Sequence, residues 1–226
     1  MNNLNITKYA KFIIWCSIVI CSLNSIFDLL LANLITTYFE SKTISEDTYI
    51  YIYNLLDSAY TISGLVFLII LFTSFVLLSK WFYTSCKLNH LNGMKGLKTS
   101  PRWAWLWYAI PIATLFKPYQ SLKETYQAST QRDDWKEISV PWAFPIWWMS
   151  FLSSAAASNI SARLFSNLTE DSPYQDYVTA YYVSFTDDIL WVVSAIALLQ
   201  IVKTVSVNQS KLNFEIKYTE QGKYMR

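Results

Sequence analysis

Only four of the 226 residues are glycine and one is histidine. The chain contains neither a phosphate-cradling P-loop nor a Gly-x-Ser-x-Gly nucleophile elbow. A lone His90 excludes the HExxH zinc motif and any metal site built on several histidines. Three cysteines are too few for a disulfide framework. Cys16 and Cys21 lie five apart in an apolar helix and so on different faces, Cys86 stands alone, and no Cys-x-x-Cys occurs. They read as small apolar fillers or unpaired thiols, and neither a metal nor a cofactor is implied. Charge is scarce too, at 15% of residues against about 25% in a soluble globular domain. A net charge of +2 gives no footing for nucleic acid. His90 beside Ser85 or Cys86 is the one arrangement with any likeness to a nucleophile–base pair, and it is a weak signal for an intramembrane enzyme.

Apolar and aromatic residues fill the chain instead, at 53% and 17%. They gather in four long stretches, which predict membrane-spanning helices over about 12–35, 58–79, 141–165 and 181–202. Between them lie a first loop, a central segment over 80–140 and a second loop, followed by a polar tail over 203–226 expected to be loosely ordered. The spans and loops use nearly all of the length, so residues 1–226 read as one integral membrane domain. The first apolar run imitates a signal peptide, but it continues to about Phe39 with no small-residue cleavage site, so it reads as a retained span.

The basic residues set the orientation. Lys8 and Lys11 precede the first span, nine Lys and Arg residues lie in the central segment, and five lie in the tail. Only Lys42 and Arg163 fall on the other side. Such alternation puts both ends and the central segment in the cytoplasm. Residues 103–116 (WAWLWYAIPIATLF) are apolar too, but 14 helical residues reach only about 21 Å and Pro111 interrupts them. A fifth crossing there would abolish the charge bias. This piece therefore reads as a Trp-rich re-entrant or interfacial segment on the cytoplasmic side. Eight of the ten tryptophans lie between Trp81 and Trp148, which fits an aromatic belt at that interface or an aromatic-lined cavity beneath the segment. Tyr49, Tyr51 and Tyr53 in the first loop suit the opposite interface.

Charges inside spans are costly and usually face the bundle interior with a partner. Asp28 in span one and Asp187 and Asp188 in span four fall at similar helical distances from the cytoplasmic ends, and Arg163 in span three is long enough to reach toward them. These four residues are a candidate intramembrane polar cluster, either a structural Arg–Asp clamp or a cation or proton site. Asn24, Asn33 and Asn159 suit helix-to-helix bonds, and Ser154-x-x-x-Ser158 suits close small-residue packing.

The central segment also carries a sequence pattern. Trp81-Phe82-Tyr83 leads into a short polar helix ending at His90-Leu91. Ser100-Pro101-x-Trp103-Ala104 follows, then Pro111-Ile112-Ala113-x-Leu115-Phe116-Lys117-Pro118-Tyr119-Gln120, Glu124, and later Trp147-Trp148. This resembles the bacterial membrane proteins grouped as domain-of-unknown-function family 4328, over roughly residues 60 to 205. Thr114 stands where the family pattern has Asn. The resemblance implies a bacterial cytoplasmic (inner) membrane and carries no activity.

Trp103, Pro111, Phe116, Lys117, Pro118, Tyr119, Gln120 and Glu124 form a candidate lipid- or partner-binding surface, with residues from Tyr119 onward starting an amphipathic helix along the membrane. The sequence thus predicts an all-α polytopic membrane protein with four transmembrane helices. Its expected role is non-enzymatic, through the lipid bilayer, a membrane protein partner or a further copy of itself. The alternative is a small oligomeric transporter or pore using the acidic residues.

Overall fold

The computed structural model describes residues 3–106, 115–130, 133–169 and 171–224. These are helices and loops, with no strand among them. Helix α1 covers Asn3–Thr36 and runs into a π-helical turn over Thr37–Ser41. Helix α2 covers Glu46–Leu91, the short α3 Pro101–Leu106 and α4 Lys117–Ser129. A 3-10 turn over Trp135–Glu137 precedes α5, Ala143–Asn167, and α6, Tyr174–Tyr224.

Three of these helices are long and apolar enough to cross a membrane: Asn5–Ser41, Glu46–Leu91 and Tyr174–Lys211. The 46 residues of α2 reach about 69 Å, well beyond a ~30 Å hydrocarbon core. Its central face is exposed, Ile69 to 67% and Phe72 to 72%, beside Leu65 and Leu68. A contiguous apolar face of that length is stable in lipid, not in water. The 25-residue α5 is long enough to cross but falls outside the three, because Ser153, Ser154 and Ser158 dilute its apolar character.

The helices extend past the boundaries that hydropathy marks. The first loop shrinks to residues 42–45, since α2 begins at Glu46 with Asp47 beside it, acids favourable at a helix N-terminus. The polar tail continues as helix α6 to Tyr224 rather than being loose. Between Lys203 and Gln221 it holds no Pro or Gly, and a helix needs no apolar stripe to propagate once nucleated. Residues 107–114, the heart of the expected re-entrant segment and the site of Pro111, lie outside the described residues.

The chain divides into two compact units. One comprises residues 1–14, 73–146 and 197–226, the other 15–72 and 147–196. In the second, Leu31, Ala32, Ile35 and Tyr181 form a buried cluster with Tyr49, Tyr53 and Phe165 packed against it. Tyr49 and Tyr53 are four apart on α2 and share a face, while Tyr51 points away and is exposed. Two of the three tyrosines read as interface residues are therefore partly buried against this cluster. Stacking of Tyr38 on Tyr49 (4.1 Å) and of Phe39 on Tyr174 (5.0 Å) completes this aromatic packing.

In the first unit, α4 starts with Pro118 in its first turn, where a missing N–H costs nothing. It buries Pro118, Ser121, Leu122, Thr125, Ala128 and Ser129, a stripe at helical spacing. Phe144 is fully buried against it, edge-on to Tyr119 and tilted over Tyr126. Half-burial there also pushes the Tyr126 hydroxyl above the ordinary phenol range. Four of the central tryptophans, Trp81, Trp135, Trp147 and Trp148, are buried packing residues. Trp103 and Trp142 are the exposed ones among the six whose side chains are described.

Candidate functional site

Helix α2 stops where Gly93 takes φ +75°, with its N–H on the His90 carbonyl and the Met94 N–H on that of Asn89. This is a glycine-terminated helix end. A second left-handed residue, Gly96 (φ +77°), turns the chain again. The left-handed backbone demands glycine there, while the Lys136 amine, 2.6 Å from where a Cβ would lie, is the end of a flexible side chain that can move aside. The chain then reaches Lys98 and Thr99, which Glu124 of α4 clasps. Its carboxylate accepts the backbone N–H of Lys98, the N–H of Thr99 at 2.9 Å and the Thr99 hydroxyl. Such charge-assisted bonds are stronger than neutral ones.

That clasp forms one wall of a cleft of about 510 Å³. Lys98, Lys117 and Lys136 line it, with Thr99, Ser121 and Gln120 among the hydroxyl and amide groups and Trp103 and Trp135 among the apolar ones. The Lys136 amine lies 5.4 Å from the centre of the Trp135 ring, whose indole N–H is fixed on the Lys95 carbonyl at 3.3 Å. Glu124 is the one carboxylate lining the cleft, and its oxygens are occupied by the clasp. Three lysines thus line one concave wall, a positive field that attracts a phosphate-like group.

Beneath the cleft runs a buried polar network. The Gln209 amide donates to the Ser85 carbonyl (2.8 Å) and to Asn89 Oδ1 (3.0 Å), and Asn89 donates to the Thr125 carbonyl (2.9 Å). Asn208 donates to Ser129 Oγ at 3.0 Å. These bonds join α2, α4 and α6. No local spacing signals them, because Asn89 and Gln209 are 120 residues apart.

In the second unit, Asp28 of α1 is fully buried. Tyr60 and Ser184 face its carboxyl group, with their hydroxyls 3.1 Å apart in a bond that uses one of their two protons, and neither Asp28 oxygen has a partner within hydrogen-bond geometry. Asp188 of α6 faces Asp28, with the Cys21 thiol on its other side. Asp187 turns to α5 and accepts from Ser154 Oγ at 2.5 Å. On the adjoining stretch, Ser63 Oγ of α2 donates to Asn24 Oδ1 of α1.

Of the candidate intramembrane cluster, the structure therefore brings together Asp28, Asp187 and Asp188. Arg163 is exposed and forms no ion pair with them. Asn24 makes the expected interhelical bond, whereas Asn159 donates to its own helix at Ala155 and Asn33 is exposed. Of the candidate binding surface, Trp103, Lys117 and Gln120 line the cleft, and Phe116 is exposed beside the Lys117 amine. Pro118 is buried and Tyr119 packs on Phe144, so both support α4 from within. Glu124 shapes the cleft instead of offering a free charge. Lys98, Lys136 and Trp135 belong to the site although their sequence spacing gives no hint of it. His90 bonds the Thr99 carbonyl (2.9 Å), as does the Cys86 thiol, while the buried Ser85 hydroxyl has no partner. The nucleophile–base pair is thus not assembled. Among the described residues, no three His, Cys, Asp or Glu side chains are placed to hold a metal ion.

A family model described as Domain of unknown function (DUF4328) matches residues 48–207, from the first turn of α2 to the middle of α6. Asp28 and Cys21 lie outside the matched stretch. No curated protein and no solved structure matches the chain.

Proposed function

This chain belongs to the DUF4328 family, and we propose that it is a non-enzymatic, four-span protein of a bacterial inner membrane that binds anionic lipid headgroups. In this reading α5 is the fourth crossing, and both ends and the central segment face the cytoplasm. The distribution of Lys and Arg supports that orientation. The length of α5, about 37 Å, supports its crossing, as does the burial of Ser154 and Ser161 within the protein instead of against lipid.

Labelling from outside intact cells tests the topology. Single cysteines go at positions 42, 95, 120 and 170 in a background lacking Cys16, Cys21 and Cys86. Position 95 is used because a side chain at Gly96 would strain its left-handed backbone. An impermeant thiol reagent is expected to reach 42 and 170 only. Labelling at 120 but not 170 would mean that residues 103–116 cross, and the four-span reading would fall.

The observation that carries the function is the cleft with Lys98, Lys117 and Lys136 around one occupied carboxylate. A lysine near a membrane surface contributes about 1 kcal/mol to anionic lipid attraction. Replacing all three by glutamine is therefore expected to weaken retention of phosphatidylglycerol by about a hundredfold, while phosphatidylcholine retention is unchanged. Native mass spectrometry of the purified full chain reads this directly. Equal retention of both lipids by the wild type would remove the proposal. The acid cluster of the other unit is the one feature that favours the transporter or pore reading.

A further inference from the structure

The most anomalous group in the molecule is Asp28: fully buried, with both carboxyl oxygens lacking a hydrogen-bond donor. An isolated carboxylate in such a place is strongly disfavoured unless it is paired or neutralised. The groups that face it are Tyr60 and Ser184, whose hydroxyls share one bond and keep one proton between them, and Asp188. The groups around Asp188 are Asp28, Asp187 and the Cys21 thiol. From α5, Ser154 approaches, and its hydroxyl is taken by Asp187. Among the described residues, no lysine, arginine or histidine stands beside any of the three carboxyl groups. Two facing carboxylates without a cation repel each other strongly in a medium of low dielectric constant.

We propose that Asp28 and Asp188 form a proton-binding site between the spanning helices α1 and α6. One proton, taken from water, is held on a carboxyl oxygen of one residue and donated to an oxygen of the other. The pair then carries one negative charge in place of two, and the bond gives a buried Asp28 oxygen a partner in hydrogen-bond geometry. Asp187 is not part of the pair, since the Ser154 hydroxyl already satisfies it.

Infrared spectroscopy of the purified full chain in an ester-free detergent at neutral pH tests this. Exposed Asp and Glu residues are ionised there, so a protonated-carboxyl C=O band reports a buried acid. The wild type is expected to show that band, shifted in D2O and diminishing as the pH is raised. Asp28→Asn and Asp188→Asn should each abolish or displace it, while Asp187→Asn leaves it in place. Absence of the band from the wild type overturns the proposal, and that result needs no variant to fold. A band altered by only one of the two substitutions, or by neither, overturns the shared pair. Removal of the band by sodium at constant pH would make the ligand sodium and overturn the proton. The outcome is independent of lipid binding at the lysine cleft.

Discussion

Glu124→Ala is expected to lower stability in detergent by roughly 2–4 kcal/mol, the range for losing hydrogen bonds to a charged acceptor and leaving their donors unpaired. The substitution strips the partner from three donors at once: the Lys98 and Thr99 backbone N–H groups and the Thr99 hydroxyl. Glu124→Gln should fall between wild type and Ala, because the amide retains one acceptor oxygen but turns an NH2 group toward donors. The same pair of variants separates two effects on the cleft. Removing a negative charge alone would strengthen anion binding. Releasing residues 98–99 disperses the lysines and weakens it. We expect weaker binding, because the clasp fixes the wall on which Lys98 sits. Thermal unfolding and lipid retention measured on both variants check this, and an unfolding midpoint unchanged in Glu124→Ala would show that the clasp contributes nothing.

Phe144→Ala is expected to cost about 3–5 kcal/mol, the range for emptying a fully buried aromatic site. The ring lies 6.3 Å from that of Tyr119, nearly perpendicular, and 5.2 Å from that of Tyr126. These geometries add about 0.5–1.5 kcal/mol per pair beyond area burial. Phe144 seats α4 through two residues seven apart on one helix face, so its loss loosens the element that carries Lys117, Gln120 and Glu124. Phe144→Leu refills most of the volume without the ring contacts and should cost less than half as much. If denaturation followed by circular dichroism placed Phe144→Leu level with the wild type, ring geometry would have no part in holding α4.

Much of the fold was legible along the chain because membrane helices announce themselves by length and apolarity. The α5 boundaries, the end of α2 at His90-Leu91, a helix beginning near Tyr119 and the family itself all follow from local pattern. The Asp28–Asp188 approach was partly legible, since similar helical distance from the ends placed both at similar depth. The misplaced readings share a cause: they assigned side chains by type. Arg163 is a natural partner for buried acids, yet the rotation of α5 exposes it and offers them Ser154. Glu124 and Pro118 look like surface residues in a polar helix, and packing turns one into a clasp and the other into core.

Composition by itself determined that this is an all-helical chain with helices long and apolar enough to cross a membrane, and the alternation of Lys and Arg is what the proposed orientation rests on. Those are one-dimensional consequences, because the bilayer imposes a single axis along which apolar length and charge are sorted. The tertiary structure alone decided which polar groups meet: three lysines from separate segments around one cleft, Asn89 with Gln209, and Asp28 with Asp188 but not Arg163. Helix rotation and pairing are set by side-chain packing summed over many distant contacts, and no local spacing in the chain encodes that sum.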